Sequence, residues 1–80
     1  MPKLKILSGK DIIEIFKSFG FSIVGQKGSH VKLARYLSGT HQTLTIPNHK
    51  ELDKGTIRAI YSQALRYVSD AELRKYFYTK

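Results

Sequence analysis

The residues best equipped for chemistry in this chain are Lys27-Gly28-Ser29-His30, four consecutive positions that combine a cation, a glycine, a hydroxyl and an imidazole. Imidazole has an ordinary pKa of about 6.5, which lets it take and give protons near neutral pH. Gly28 allows a bound group to approach the backbone closely. Ser29 brings a hydroxyl and an N–H, and Lys27 brings positive charge for an anion. The same tetrapeptide also makes an ordinary hairpin turn carrying a solvent-exposed His, so its context must decide between the two.

Charge is the first part of that context. Lys and Arg number 14 against 6 Asp and Glu, a net +8. That lies at the top of the range of roughly 2–8 usual for a small domain, and such an excess attracts polyanions, nucleic acid or an acidic protein. Eighty residues predict one domain spanning 1–80, burying roughly 60–65% of the surface of its unfolded chain. With no Cys, neither a disulfide framework nor a thiolate zinc site is available. No apolar run approaches the roughly 20 residues of a membrane span, and Met1-Pro2-Lys3-Leu4-Lys5-Ile6-Leu7 lacks the apolar region and cleavage site of a signal peptide. The expectation is therefore no membrane partner and a cytoplasmic location.

The elements that must position His30 are legible from periodicity. Residues 1–7 read as a short extended arm. Ser8-Gly9-Lys10-Asp11 has the form of a capping box, and Ile12, Ile15, Phe16 and Phe19 then recur at i, i+3, i+4, i+7 on one helical face. Gly20 stops this helix, with Phe21 folding back on its last turn. Three strands follow, Phe21 to Gln26, His30 to Leu37 and Gln42 to Ile46. In the second, Val31, Leu33 and Leu37 point toward the core while His30, Lys32, Ala34 and Tyr36 point away from it. Ser38-Gly39-Thr40 is a hairpin turn, Leu44 and Ile46 continue the buried face, and Pro47 ends the sheet.

Asp53 is placed to cap a second helix with the stripe Ile57, Ile60, Tyr61, Ala64, Leu65. Ser69-Asp70-Ala71-Glu72 reads as a second capping box opening a short helix to about Phe77. The predicted fold class is α+β: helix, three-stranded antiparallel sheet, helix, then a short C-terminal helix, an order like that of double-stranded-RNA-binding domains.

Lys50, Lys54 and Arg58 crowd the start of the second helix, where free N–H groups favour an anion. They equally suit a solvated polar face. His41 reads as an exposed residue near a hairpin tip, and His49 either touches RNA, assists His30 or is structural. A metal site from His30, His41 and His49 has no helix-spaced ligand pair or convergent carboxylate to support it, so no metal and no small-molecule cofactor is expected. Tyr61, Tyr67, Tyr76, Phe77 and Tyr78 suit either a base-stacking platform or closure of a small core. Tyr36, on the face shared with His30 and Lys32, is placed to stack a base beside a phosphate held there.

Leu7-Ser8-Gly9-Lys10-Asp11, Gly20-Phe21, Gln26-Lys27-Gly28-Ser29-His30, Ile46-Pro47-Asn48-His49 and Leu52-Asp53-Lys54-Gly55-Thr56-Ile57-Arg58-Ala59-Ile60 stand in an order and spacing that resembles the HicA toxins of type II toxin–antitoxin systems. The resemblance runs from about Lys5 to Val68. It implies a double-stranded-RNA-binding-like fold that cleaves mRNA without a metal, with His30 as the catalytic residue. It also implies a HicB-like antitoxin that covers that histidine.

RNA supplies its own nucleophile, the 2′-OH, so such a site needs only proton transfer, positioning and charge stabilisation. One imidazole can perform the first, worth about 10²–10⁴-fold. Lys27, Lys32 or the Ser29 N–H would stabilise the phosphorane. The expected RNA contacts are thus Lys27, Gly28, Ser29, Lys32, Tyr36, His49, Lys50, Lys54 and Arg58. The alternative is a non-catalytic RNA-binding or antitoxin-binding module of the same fold.

Overall fold

In the computed structural model, which describes residues 2–79, the first helix begins where its capping chemistry puts it. The Asp11 N–H donates to Ser8 Oγ and the Ser8 N–H donates to the Asp11 carboxylate, both at 3.0 Å, so two donors that a helix end leaves unpaired are satisfied reciprocally. Helix α1 (Gly9–Ser18) is followed by strands β1 (Ser22–Lys27), β2 (His30–Leu37) and β3 (Thr40–Pro47). Helices α2 (Lys54–Ala64) and α3 (Asp70–Phe77) complete the chain. This is the expected α+β layout. Met1 and Lys80, the outermost positions of the expected 1–80 domain, lie outside the described residues.

Gly20, at φ +95, turns the chain out of α1. The Phe21 N–H then donates back to the Phe16 carbonyl at 3.0 Å, and the two rings meet edge to face with centroids 5.8 Å apart. The strands pair antiparallel in the order β1-β2-β3. Each hairpin has a two-residue turn. Gly28, at φ +59, occupies the first turn position between Lys27 and His30, as a type II′ turn requires. Ser38 and Gly39, at φ +51 and +76, both take the left-handed conformation between Leu37 and Thr40, as in type I′.

All three helices bury their apolar stripes on one side of the sheet. Val31, Leu33, Leu44 and Ile46 join Ile12 and Phe16 of α1, Ile57, Ile60 and Ala64 of α2, and Leu73 and Phe77 of α3 in one continuous cluster. The other sheet face is left uncovered by them. Leu37, expected on the buried face, is half exposed, and Arg35 takes the helix side instead. Its guanidinium donates to the Phe19 carbonyl at 2.6 Å, the Tyr67 carbonyl at 3.1 Å and the Gln42 side chain, and lies 4.6 Å from the centre of the Phe21 ring. Helix ends leave carbonyls without intrahelical partners. One forked cation reaches such groups from two segments and also satisfies the buried Gln42.

Within the extended arm expected over residues 1–7, Lys3, Leu4 and Lys5 pair with the C-terminal segment. Leu4 pairs antiparallel with Tyr78, the Lys5 N–H donates to the Phe77 carbonyl at 2.8 Å, and the Thr79 N–H donates to the Lys3 carbonyl at 2.7 Å. At α3 only half of the expected capping box forms. Ser69 Oγ accepts from the Glu72 N–H, but the Glu72 carboxylate lies 3.3 Å from the Ser69 hydroxyl.

The tail aromatics close the core. Phe77 is fully buried, edge-on to Tyr61 at 5.4 Å and 6.0 Å from Phe16. The Tyr61 hydroxyl donates to the Asp70 carboxylate, which also accepts from Arg74 Nε at 2.8 Å. Burial first, then this hydrogen bond, pushes the Tyr61 hydroxyl up to about 12.

Asp11, Asp53 and Asp70 are each held below the ordinary carboxylate value of 3.8. The Ser8 N–H is the main cause for Asp11, the Thr56 N–H for Asp53, and the Tyr61 hydroxyl followed by Arg74 for Asp70. A carboxyl with a folded pKa below its unfolded value stabilises above the unfolded value, and that contribution is lost as pH falls through the folded one. The melting temperature is therefore expected to hold between about pH 5 and 7 and to decline below about pH 4. Asp53→Asn, which keeps a good cap without a titrating group, should shallow that decline. An unchanged decline would remove Asp53 from the account.

Candidate functional site

His30 opens β2 directly after the Gly28-Ser29 turn, so Lys27 is its cross-strand partner on one side and Pro47 its partner on the other. Strand alternation sends Val31 and Leu33 into the core and leaves His30 and Lys32 exposed on the uncovered face. Directly paired Cβ atoms stand roughly 4.5–5.5 Å apart, which sets the Lys27 side chain alongside that of His30. Lys32 is one pleat further along the same face.

The turn is anchored to two other segments. The Asn48 N–H donates to the Ser29 carbonyl at 2.6 Å, and His49 Nε2 lies 3.1 Å from Ser29 Oγ. The Gly9 N–H in turn donates to the His49 carbonyl at 2.8 Å. Gly9 has no room for a side chain. A Cβ there would fall 2.2 Å from the Pro47 carbonyl oxygen, 2.6 Å from Asn48 Cα and 2.9 Å from the His49 nitrogen. The β1–β2 turn, the segment after β3 and the first residue of α1 are thereby locked together. Ser8, Lys10, Asn48, His49 and Lys50 line a groove of about 330 Å³ at this junction.

The expected site residues divide into three groups. Lys27, Gly28, Ser29, His30 and Lys32 lie together at the turn end of the sheet, and His49 joins them through Ser29. Lys50 shares the junction groove with His49. Lys54 and Arg58 line a different groove of about 500 Å³, in company with Lys3, Leu4, Ile6 and Tyr78. Tyr36 stands six residues beyond His30 on β2, roughly 20 Å away at strand rise. A base stacked on Tyr36 is therefore not adjacent to a phosphate at His30, which corrects the expectation for this residue. Its ring stacks instead on His41, its direct partner on β3, with centroids 4.7 Å apart and planes 14° apart.

Ser8, Gly9, Lys10 and Asn48 at the junction, and Lys3 in the second groove, were not among the expected contacts. For Ser8, Gly9 and Lys10 the local signal was Ser8-Gly9-Lys10-Asp11, which explains a helix start without revealing what packs on it. Among the described residues, no group of three or more His, Cys, Asp or Glu side chains is placed to hold a metal ion. Among them, too, no helix is long and apolar enough to cross a membrane.

A family model described as the HicA toxin of bacterial toxin–antitoxin systems matches residues 9–65. That span begins at Gly9 and contains the anchored turn, the segment after β3 and all of α2. No curated protein and no solved structure matches the chain.

Proposed function

This chain belongs to the HicA toxin family, and from that premise we propose that it is a metal-independent endoribonuclease that cuts mRNA with His30 as general base. A toxin of this family implies a cognate antitoxin, here a HicB-like protein that covers His30 when bound. The single observation that supports the reading is the position of His30. It is an exposed imidazole on the sheet face free of helices, beside Lys27 and one pleat from Lys32.

The imidazole takes the proton of a ribose 2′-OH. The 2′-oxygen then forms its bond to the adjacent phosphorus as the bond to the 5′-oxygen breaks, and the 5′-oxygen leaves with a proton drawn from water. The products are a 2′,3′-cyclic phosphate and a 5′-hydroxyl. Lys27 and Lys32 stabilise the charge that builds on the phosphorane oxygens, as preorganised cations do in a transition state. The Gly28-Ser29 turn, held by Asn48 and His49, keeps imidazole and cations in register.

The purified protein is expected to cut single-stranded RNA in the presence of EDTA, to leave those end groups, and to spare an otherwise identical strand with a 2′-deoxy sugar at the cut. Products with a 3′-hydroxyl and a 5′-phosphate would mean that water, not the 2′-OH, is the nucleophile. No cleavage of any RNA would leave the protein a binding module.

A further inference from the structure

The uncovered sheet face has two unlike ends. Lys27, His30 and Lys32 occupy one, and the stacked Tyr36–His41 pair occupies the other, on the part of the β2–β3 hairpin that extends past the start of β1 at Ser22. The register sets Ser22, Gly25, Ala34, Thr43 and Thr45 between them on the same face. None of these is larger than threonine, so they form a low bed about 20 Å long, flanked on β1 by the exposed Val24 at the irregularity between Ile23 and Gly25. Charge reinforces the asymmetry with the rest of the surface. The 6 acidic residues are Asp11, Glu14, Glu51, Asp53, Asp70 and Glu72, which belong to the helices and the segments that lead into them, and the sheet carries none.

We propose that this face is a track for one strand of RNA, with a phosphate at His30 and an unpaired base stacked on the Tyr36–His41 pair at the far end. The inference rests on the ribonuclease reading for the His30 end and adds a second contact: a strand spanning several nucleotides, held at its far end by the Tyr36–His41 pair. A base offers its flat face to a protein ring only when it is unstacked from its neighbours, which single strands allow and duplexes resist. Cations combined with an aromatic platform are the usual way proteins hold such strands, and here the cations are Lys27 and Lys32 at the His30 end. The Tyr36 residue is 74% exposed. Its stack with His41 leaves most of it in water, whereas a pair serving only to pin a hairpin has no need of an open aromatic surface. The bed between the two ends has no acidic side chain to repel the phosphates that would cross it.

The test compares wild type with Tyr36→Ala and Tyr36→Phe on a single strand of about 12 nucleotides and on a dinucleotide too short to reach from His30 to Tyr36. Tyr36→Ala is expected to lower kcat/KM on the long strand about 5- to 100-fold through KM, the range for loss of one stacked base. On the dinucleotide it should match wild type, and Tyr36→Phe should match wild type on both. Direct binding of the long strand, read by fluorescence anisotropy, should weaken by the same factor in Tyr36→Ala, and wild type should prefer that strand over the same sequence in a duplex.

Equal losses on long and short RNA, no loss on either, or a preference for duplex would each overturn the track. So would a Tyr36→Ala protein that keeps its RNA affinity but releases its antitoxin, since the pair would then serve a protein partner. The binding arm decides the matter even if no RNA is cut, an outcome that would sink the nuclease reading separately. Melting curves confirm that the variants are folded.

Discussion

Replacing His30 with alanine is expected to lower RNA cleavage by about 100-fold or more and to abolish growth arrest, while leaving the melting temperature nearly unchanged. The two effects separate because of where the residue sits. Its side chain is exposed and points away from the cluster formed by Val31, Leu33, Leu44 and Ile46, so truncation leaves no cavity and costs within about 0.5 kcal/mol. The loss of a general base, by contrast, falls wholly on the transition state. Most RNA affinity should survive, since Lys27 and Lys32 remain. A cleavage assay with melting curves alongside distinguishes the outcomes, and a His30→Ala protein that cuts at the wild-type rate would end the proposed mechanism.

Gly9→Ala is expected to have the largest effect on stability among single-methyl additions at the glycines. The atoms nearest a new Cβ, the Pro47 carbonyl oxygen at 2.2 Å, Asn48 Cα at 2.6 Å and the His49 nitrogen at 2.9 Å, are all backbone, so no rotamer change relieves the overlap. Either α1 or the segment after β3 must move. The bonds from Gly9 to His49 and from Asn48 to Ser29 would be strained together. A cost of about 1–3 kcal/mol is usual for forced overpacking, corresponding to roughly 4–8 °C per kcal/mol in a domain of this size.

Gly55→Ala supplies the contrast. Its nearest neighbour would be an Asp53 carboxylate oxygen at 3.5 Å, an ordinary contact. Alanine is also the better residue in a helix by about 1 kcal/mol, so this variant should melt at or above wild type. If Gly9→Ala melted with Gly55→Ala, the close approach would not constrain the fold. Because the displaced segment holds Ser29, Gly9→Ala should also reduce cleavage at temperatures where it is still folded.

These two residues show how much of the molecule could be read from the chain alone. His30 was legible because a strand has a period of two, so the positions of Val31 and Leu33 fix which way its neighbours point. The helices were legible for the same kind of reason, with Ser8, Asp53 and Ser69 marking their starts and apolar spacing marking their faces. Gly9 was not. Its constraint comes from a segment almost forty residues away, and local pattern carries no information about that approach. Arg35 escaped for a related reason: a cation on a predicted buried face looks like an interruption until the Phe19 and Tyr67 carbonyls are seen beside it. For Tyr36, facing direction follows from alternation, while its distance from His30 requires counting the rise along the strand.

The pairing of Lys3–Lys5 with Phe77–Thr79 bears on how the protein comes apart and together. The hairpins β1–β2 and β2–β3 join neighbours through turns of two residues, contacts that form quickly because little chain entropy is lost in closing them. The bridge from Lys3 to Thr79 spans 76 positions and can form only after the rest is assembled. The order of opening should mirror this, with Lys5 and Thr79 amides exchanging with solvent at a lower free energy than Val31 or Leu33 at the centre of the sheet. Within such a hierarchy, the pairing of Lys3–Lys5 with Tyr78 and Thr79 can open while the turn that holds His30 stays intact.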